Sequence, residues 1–347
     1  MKLLFLFLTL TSATIIYAQK GKGFQFVERK ADKQIDILYN GKLLTAYCYY
    51  DSVRKPFLYP VNTTDGITVT RGYPLNPRPG ERTDHPHHTG IWMNYESVNG
   101  LDFWNNSTDI AVEKRNLYGT IRHEQVLAEK ANGDMATLVV SAKWQRPDSV
   151  EILKETTVYV FSVKDNNFFI DRNTVLSSLA IPVEFNDVKD GFFAIRVARE
   201  LEMPSDQADV FVDVHGNKTT VPKSTNNDGV TGMYTSSEGK KGDSVWGTKG
   251  RWAMLQGKKD GEQITIGMFD HPKNIGYPGY WHARGYGLFA INPLGRKIFS
   301  NGKEELDFKL KPHSSVNFRY RILIASGKTI TADDMNRMAD DFAKSRL

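Results

Sequence analysis

Ile35-Asp-Ile-Leu-Tyr-Asn-Gly-Lys-Leu-Leu-Thr-Ala-Tyr-Cys-Tyr-Tyr50 is the stretch on which the fold turns. Strand-like runs flank Asn40-Gly41, and a type I′ turn needs positive φ at both of its central residues. That combination is the strongest short-range sign of an antiparallel hairpin. The pattern returns at Asn132-Gly133 between 121–128 and 137–144, at 164–167 between 155–163 and 168–175, and at Asp260-Gly261 between 251–256 and 263–269. Strand-like sequence also marks 191–198, 210–214, 287–292, 306–310 and 316–325. Helical spacing is clear only near the C-terminus, where Thr331 can cap with Asp334, and Met335, Met338, Ala339 and Phe342 form one apolar stripe. The sequence therefore predicts an all-β protein, a large antiparallel β-sandwich with a short C-terminal helix.

The chain opens Met1-Lys2, stays apolar through Tyr17 with few interruptions, and then reaches Ala18-Gln19. A basic start, an apolar run and a small residue before a polar one predict a secretory signal peptide over 1–18. The protein is expected to be exported, periplasmic or extracellular, and soluble. No later segment is apolar for long enough to cross a bilayer, so no membrane span is expected in the mature chain. Removing 18 of 347 residues leaves 329, read as a single sandwich domain over 19–347 with long loops at about 53–106 and 216–250. The single cysteine, Cys48, cannot form an intramolecular disulfide and reads as a small buried apolar residue. Without Lys2, 44 basic residues face 40 acidic ones, scattered rather than clustered, which argues against nucleic acid as a partner.

Chemistry concentrates in three places. Glu81-Arg-Thr-Asp-His-Pro-His-His-Thr-Gly-Ile-Trp92 packs His85, His87 and His88, three of eight histidines, beside Asp84 and Arg82. Histidine suits proton transfer near neutral pH, and its neutral ring is a common metal ligand. In an extended backbone His85 and His87 would share one face and His88 the other, which makes His85 and His87 the candidates for a divalent metal, although no established ligand spacing is present. Asp190-Gly-Phe-Phe-Ala-Ile-Arg196 continues to Glu200, and strand parity would put Asp190, Arg196 and Glu200 on one face, with Arg196 either holding substrate or paired to Glu200 or Asp190. Farther on, His271, Trp281, His282, Arg284, Tyr286 and Asn292 fall within 22 positions. Hydrogen-bonding groups interleaved with aromatic faces describe a carbohydrate site. Arg71, Asp102 and Trp104 are further candidates.

Arg71-Gly-Tyr-Pro74, the 79–92 segment, Val98-Asn-Gly-Leu-Asp-Phe-Trp104, Asp190–Arg196, Trp252, Asp270-His-Pro272, Trp281-His-Ala-Arg284 and Asn292-Pro293 together resemble an exported bacterial family labelled PmoA-like, or methane oxygenase PmoA. The resemblance spans nearly the whole mature chain, and Asp84-His-Pro-His-His88 is its most specific part. It implies an all-β fold and a setting among secreted proteins for polysaccharide or glycoside use; the super-sandwich of sugar mutarotases and some lyases is one form that the expected sandwich can take. His85, His87, His88, Arg196, His271, His282 and Arg284 match its recurrent positions. A methane monooxygenase membrane subunit needs several spanning helices, which this chain lacks.

These residues point to an exported carbohydrate-active protein, a His-dependent lyase, epimerase or hydrolase acting on a glycoside. His85, His87, His88, His271 and His282 are the expected acid/base groups. Arg71, Arg82, Asp84, Trp92, Asp102, Trp104, Arg196, Glu200, Trp281, Arg284, Tyr286 and Asn292 are the expected substrate contacts. A non-catalytic sugar-binding protein would keep the arginines and aromatics without needing the histidines. A metal-dependent oxygenase would agree with the family label.

Overall fold

The computed structural model describes residues 22–222 and 227–345, so the segment read as a signal peptide lies outside the described residues. Two eight-stranded antiparallel sheets face each other. The first, here the site sheet, runs in spatial order Phe24–Arg29, Gln34–Tyr39, Lys42–Cys48, Phe57–Val61, Ile91–Tyr95, Gly191–Arg196, Leu288–Asn292 and Tyr280–Arg284. The second runs Met233–Ser236, Trp252–Lys259, Glu262–Asp270, Ser315–Ser326, Asn167–Ser178, Glu151–Lys164, Met135–Gln145 and Thr120–Asn132. The chain is thus an antiparallel β-sandwich with a short C-terminal helix, as its alternation predicts.

The hairpin turns follow their residues. Asn40 and Gly41 have φ of 50° and 75°, Asp165 and Asn166 of 52° and 61°, and Asp260 and Gly261 of 51° and 83°. Only the turn near 132 shifts, because Asn132 pairs with Met135 and leaves Gly133 and Asp134 as the connection. The helix Ala332–Ala343 has the predicted capping box from Thr331 and Asp334, and buries Met335, Ala339 and Phe342 against the outer face of the second sheet.

The two predicted long loops are only partly irregular. Phe57–Val61 and Ile91–Tyr95 lie inside 53–106 and are paired strands, and Met233–Ser236 lies inside 216–250. Ile91–Tyr95 is buried at every position, as is Gly191–Arg196, so neither run shows the alternation that advertises a half-exposed strand. That double burial positions the site. Ile91, Met93, Phe193, Ile195, Phe289 and Ile291 fill the core between the sheets. On the opposite face Ala46, Cys48, Phe57, Trp92, Trp104, Ala194, Leu288 and Ala290 make a second apolar cluster. Small residues there leave room for side chains arriving from elsewhere in the chain.

Candidate active site

The histidine loop is built by an arginine. Loop carbonyls buried without a strand partner must find donors, and a guanidinium carries five N–H groups in one plane. Arg71, fully buried, donates to the carbonyls of Arg82 (3.3 Å), Asp84 (2.8 Å), His85 (2.9 Å) and His88 (3.2 Å), and to Asp84 Oδ1 at 2.7 Å. The segment is therefore not extended. His85 has φ of 42°, and the His88 amide donates to the His85 carbonyl at 3.0 Å. This corrects the parity expectation, because all three rings meet: His85 to His87 at 5.6 Å, His85 to His88 at 4.8 Å and His87 to His88 at 4.3 Å.

Asp84 is the hub. Arg196 grips it with both arms, Nη2 to Oδ1 at 2.7 Å and Nη1 to Oδ2 at 3.1 Å, a bidentate pair of the strong kind. Burial opposes ionisation of this carboxyl, but Arg196, His85 and Arg71 outweigh it and hold the group far below the usual carboxylate range. His85 Nδ1 lies 2.5 Å from Asp84 Oδ2. An ionised carboxylate only accepts, so Nδ1 carries the proton and the Nε2 lone pair is left for chemistry. The His85 side chain is 41% exposed, and its ring lies parallel to those of His88 (4.8 Å) and Tyr286 (4.9 Å). The Arg196 guanidinium sits 4.8 Å from the Tyr286 ring centre.

His88 is of another kind. Arg196 Nη1 donates to its Nδ1 at 3.2 Å, so its proton lies on Nε2, which is buried without a partner. Burial, with positive neighbours, holds both His87 and His88 well below the usual histidine range and keeps them neutral. His88 stacks at 5.1 Å on Trp92, which packs 5.3 Å from Trp104.

Across the sheet, Trp92, Ala194, Ala290 and His282 occupy one register row. His282 Nδ1 stands 3.7 Å from Asp190 Oδ1 and makes no hydrogen bond. Burial, then Lys189, Arg284 and His85, push this ring down to about 3. Burial raises the Asp190 carboxyl, against the pull of Lys189, His85 and Arg284. Burial also raises Asp102 and Glu96, and Asp190 adds to both. The outcome is an exposed His85 with a free Nε2 near carboxyls that hold protons more readily than usual, beside Arg284 and Tyr286.

Several expected contacts belong elsewhere. The strand from Gly191 stops at Arg196, and Glu200, in the following 3-10 turn, pairs with Lys259 at 2.5 Å, so neither it nor Asp190 is the partner of Arg196. His271 lies at the second sheet, 5.1 Å from Phe342 of the C-terminal helix. Trp281 points into the core between the sheets. Asn292 ties the 188–189 carbonyls to the amides of Leu294 and Gly295. Arg82 is absorbed by Glu202 at 2.6 Å and by Asp209. Among the described residues no three His, Cys, Asp or Glu side chains converge as a metal site would require, and the His85 and His87 pair has no third ligand there.

Two residues escape sequence reasoning. Glu202 is fully buried, bonded to Arg82 and Arg199, with Oε1 3.9 Å from Arg196. Lys55 is buried, donates to the His87 carbonyl at 2.6 Å and lies 5.3 Å over Trp92. Burial pushes its amine down to about 7, with Asp102 partly opposing. A lysine directly before the apolar run Pro56-Phe57-Leu58 is the signal that marks it.

Among solved structures, the chain is similar to the galactosidase domain of an alpha-galactosidase-sucrose kinase, with a TM-score of 0.41 and 10% identity over 87% of this chain and 42% of that one. It is also similar to a galactose mutarotase related enzyme from Lactobacillus acidophilus (0.32, 11%, 88% and 98%) and to a Glycoside Hydrolase Family 97 enzyme from Pseudoalteromonas sp. strain K8 in complex with panose (0.28, 10%, 87% and 34%). The chain spans less than half of the first and third of these. No curated protein matches it. The model of a family of unknown function, DUF6807, matches residues 34–340, and the chain belongs to that family.

Proposed function

We propose that this chain is an exported carbohydrate-active enzyme that moves a proton on a glycoside, as a lyase, epimerase or hydrolase, with His85 as the base. The observation that carries the reading is the Asp84–His85 pair. A half-buried carboxylate clamped by Arg71 and Arg196 fixes the tautomer of a solvent-facing imidazole. The same clamp prevents Asp84 from acting as a glycosidase nucleophile, because both its oxygens are already engaged. Asp190 supplies the proton donor, since a carboxyl raised by burial holds a proton closer to neutral pH. Tyr286 offers a ring face and Arg284 a cation at the opening.

The test is turnover of a panel of glycosides and uronides by the mature protein and its His85→Gln variant. The variant should lose about 10²–10⁴-fold in rate, with unchanged melting because the side chain is exposed. Equal turnover by the two proteins would refute the role of His85. Saturable sugar binding without turnover would make the protein a sugar-binding module instead.

A further inference from the structure

Behind the histidine loop lies a cavity of about 290 Å³, whose lining includes Arg54, Lys55, His87, Thr89 and Ser107. Its lining holds two cations and no carboxylate. Lys55 has no ion-pair partner among the described residues, and neither has Arg54. His87 is buried, and its Nε2 has no hydrogen-bond partner. The adjoining cavity of about 250 Å³, which Lys55 also lines, differs in carrying Asp51 and Glu124. Lys55 gives one of its three N–H groups to the His87 carbonyl, and a buried cation and a partnerless ring nitrogen are costly unless something in the cavity answers them. The group that satisfies a lysine, an arginine, a neutral imidazole and hydroxyls together is an oxyanion.

The cavity also touches the site. His87 lines it, and its ring packs edge-on against that of His85, with 5.6 Å between ring centres. Its volume is at the small end of ligand pockets, roughly 300–1,000 Å³, which suits a monosaccharide unit better than a polymer. We propose that this cavity is an anion subsite, in which Lys55 and Arg54 take the carboxylate of a sugar acid whose ring extends toward His85. The assignment rests on the sugar-directed reading of His85 and narrows it to acidic sugars. A carboxylate held beside the carbon to be deprotonated also acidifies that carbon, which suits a histidine base.

The experiment is isothermal titration of wild type, Lys55→Met and Arg54→Gln with D-glucuronate, D-galacturonate, D-glucose, D-galactose and inorganic phosphate. A uronate should bind wild type and weaken at least about 10-fold in each variant, whereas neutral sugars should bind all three proteins alike. Arg54 is half-exposed, so its variant keeps the test valid if the buried Lys55 variant misfolds. Uronates that fail to bind wild type, or bind all three proteins equally, would overturn the subsite. So would phosphate binding that depends on Lys55 with no uronate binding. Neutral glycosides turned over in a His85-dependent way, without uronate binding, would overturn the subsite and leave the His85 reading standing. Lys55-dependent uronate binding with turnover indifferent to His85→Gln would do the reverse.

Discussion

Replacing Lys55 with methionine should make the protein more stable. Burial brings the amine from 10.5 to about 7. At ~1.4 kcal/mol per pH unit, that gap corresponds to roughly 5 kcal/mol against the protonated amine in the fold, and to about 4 kcal/mol at pH 7, where half of it stays protonated. Methionine keeps an unbranched stem and carries no charge. It forfeits the bond to the His87 carbonyl, and an acceptor left unsatisfied costs about 1–3 kcal/mol. The net expectation at pH 6–7 is a gain of roughly 1–3 kcal/mol. The sign with pH follows from linkage. The folded pKa lies below the unfolded one, so the unfolded chain binds more protons between pH 7 and 10.5, and the wild type recovers stability as pH rises through that window. Urea unfolding of both proteins at pH 6, 7, 8 and 9 should show the advantage of Lys55→Met shrinking upward from pH 7. Groups common to both proteins drop out of the difference. A variant less stable at every pH, or a difference constant from pH 6 to 9, would refute the desolvated amine.

Asp84→Asn should destabilise by about 3–5 kcal/mol in urea unfolding, because it leaves the buried Arg71 and Arg196 without their counter-charge. The Asp84 carboxyl is held below its ordinary range, so its contribution is present above about pH 4 and lost as pH falls through the folded value; the variant should lack that part of the acid limb. Gly90→Ala should destabilise by at least about 2 kcal/mol in the same assay, since φ is +56° and a Cβ would lie 2.0 Å from the Leu58 carbonyl oxygen. An unchanged midpoint for either variant would contradict the corresponding packing.

The sheets are legible in the sequence because their turns are spelled out locally: Asn40-Gly41 and Asp260-Gly261 take the backbone that their side chains permit. Ile91–Tyr95 hides among prolines and glycines because burial on both faces removes the alternation that would reveal it, and Phe57–Val61 carries Pro60 within it. The candidate site is legible as a neighbourhood. His85, His88, Arg196, His282, Arg284 and Tyr286 do come together, but what each does is decided over long separations. Asp84 meets Arg196 from 112 positions away, and no periodicity carries that pairing. The same distance explains the misplacement of Glu200, whose parity with Arg196 ends where the strand does. Lys55 is missed because its one mark is its place directly before Pro56-Phe57-Leu58, with no periodicity beside it.

The bonds that Arg71 makes to four carbonyls have a consequence for how the histidine cluster is inherited. The rings touch one another within 82–90, but the carbonyls that shape the segment are held by Arg71, and Asp84 and the His88 ring by Arg196, both from other parts of the chain. The segment is therefore not a portable motif. Grafted onto another scaffold it would carry the histidines without their arrangement, and a relative that retains Asp-His-Pro-His-His but has lost either arginine should be read as having lost the site.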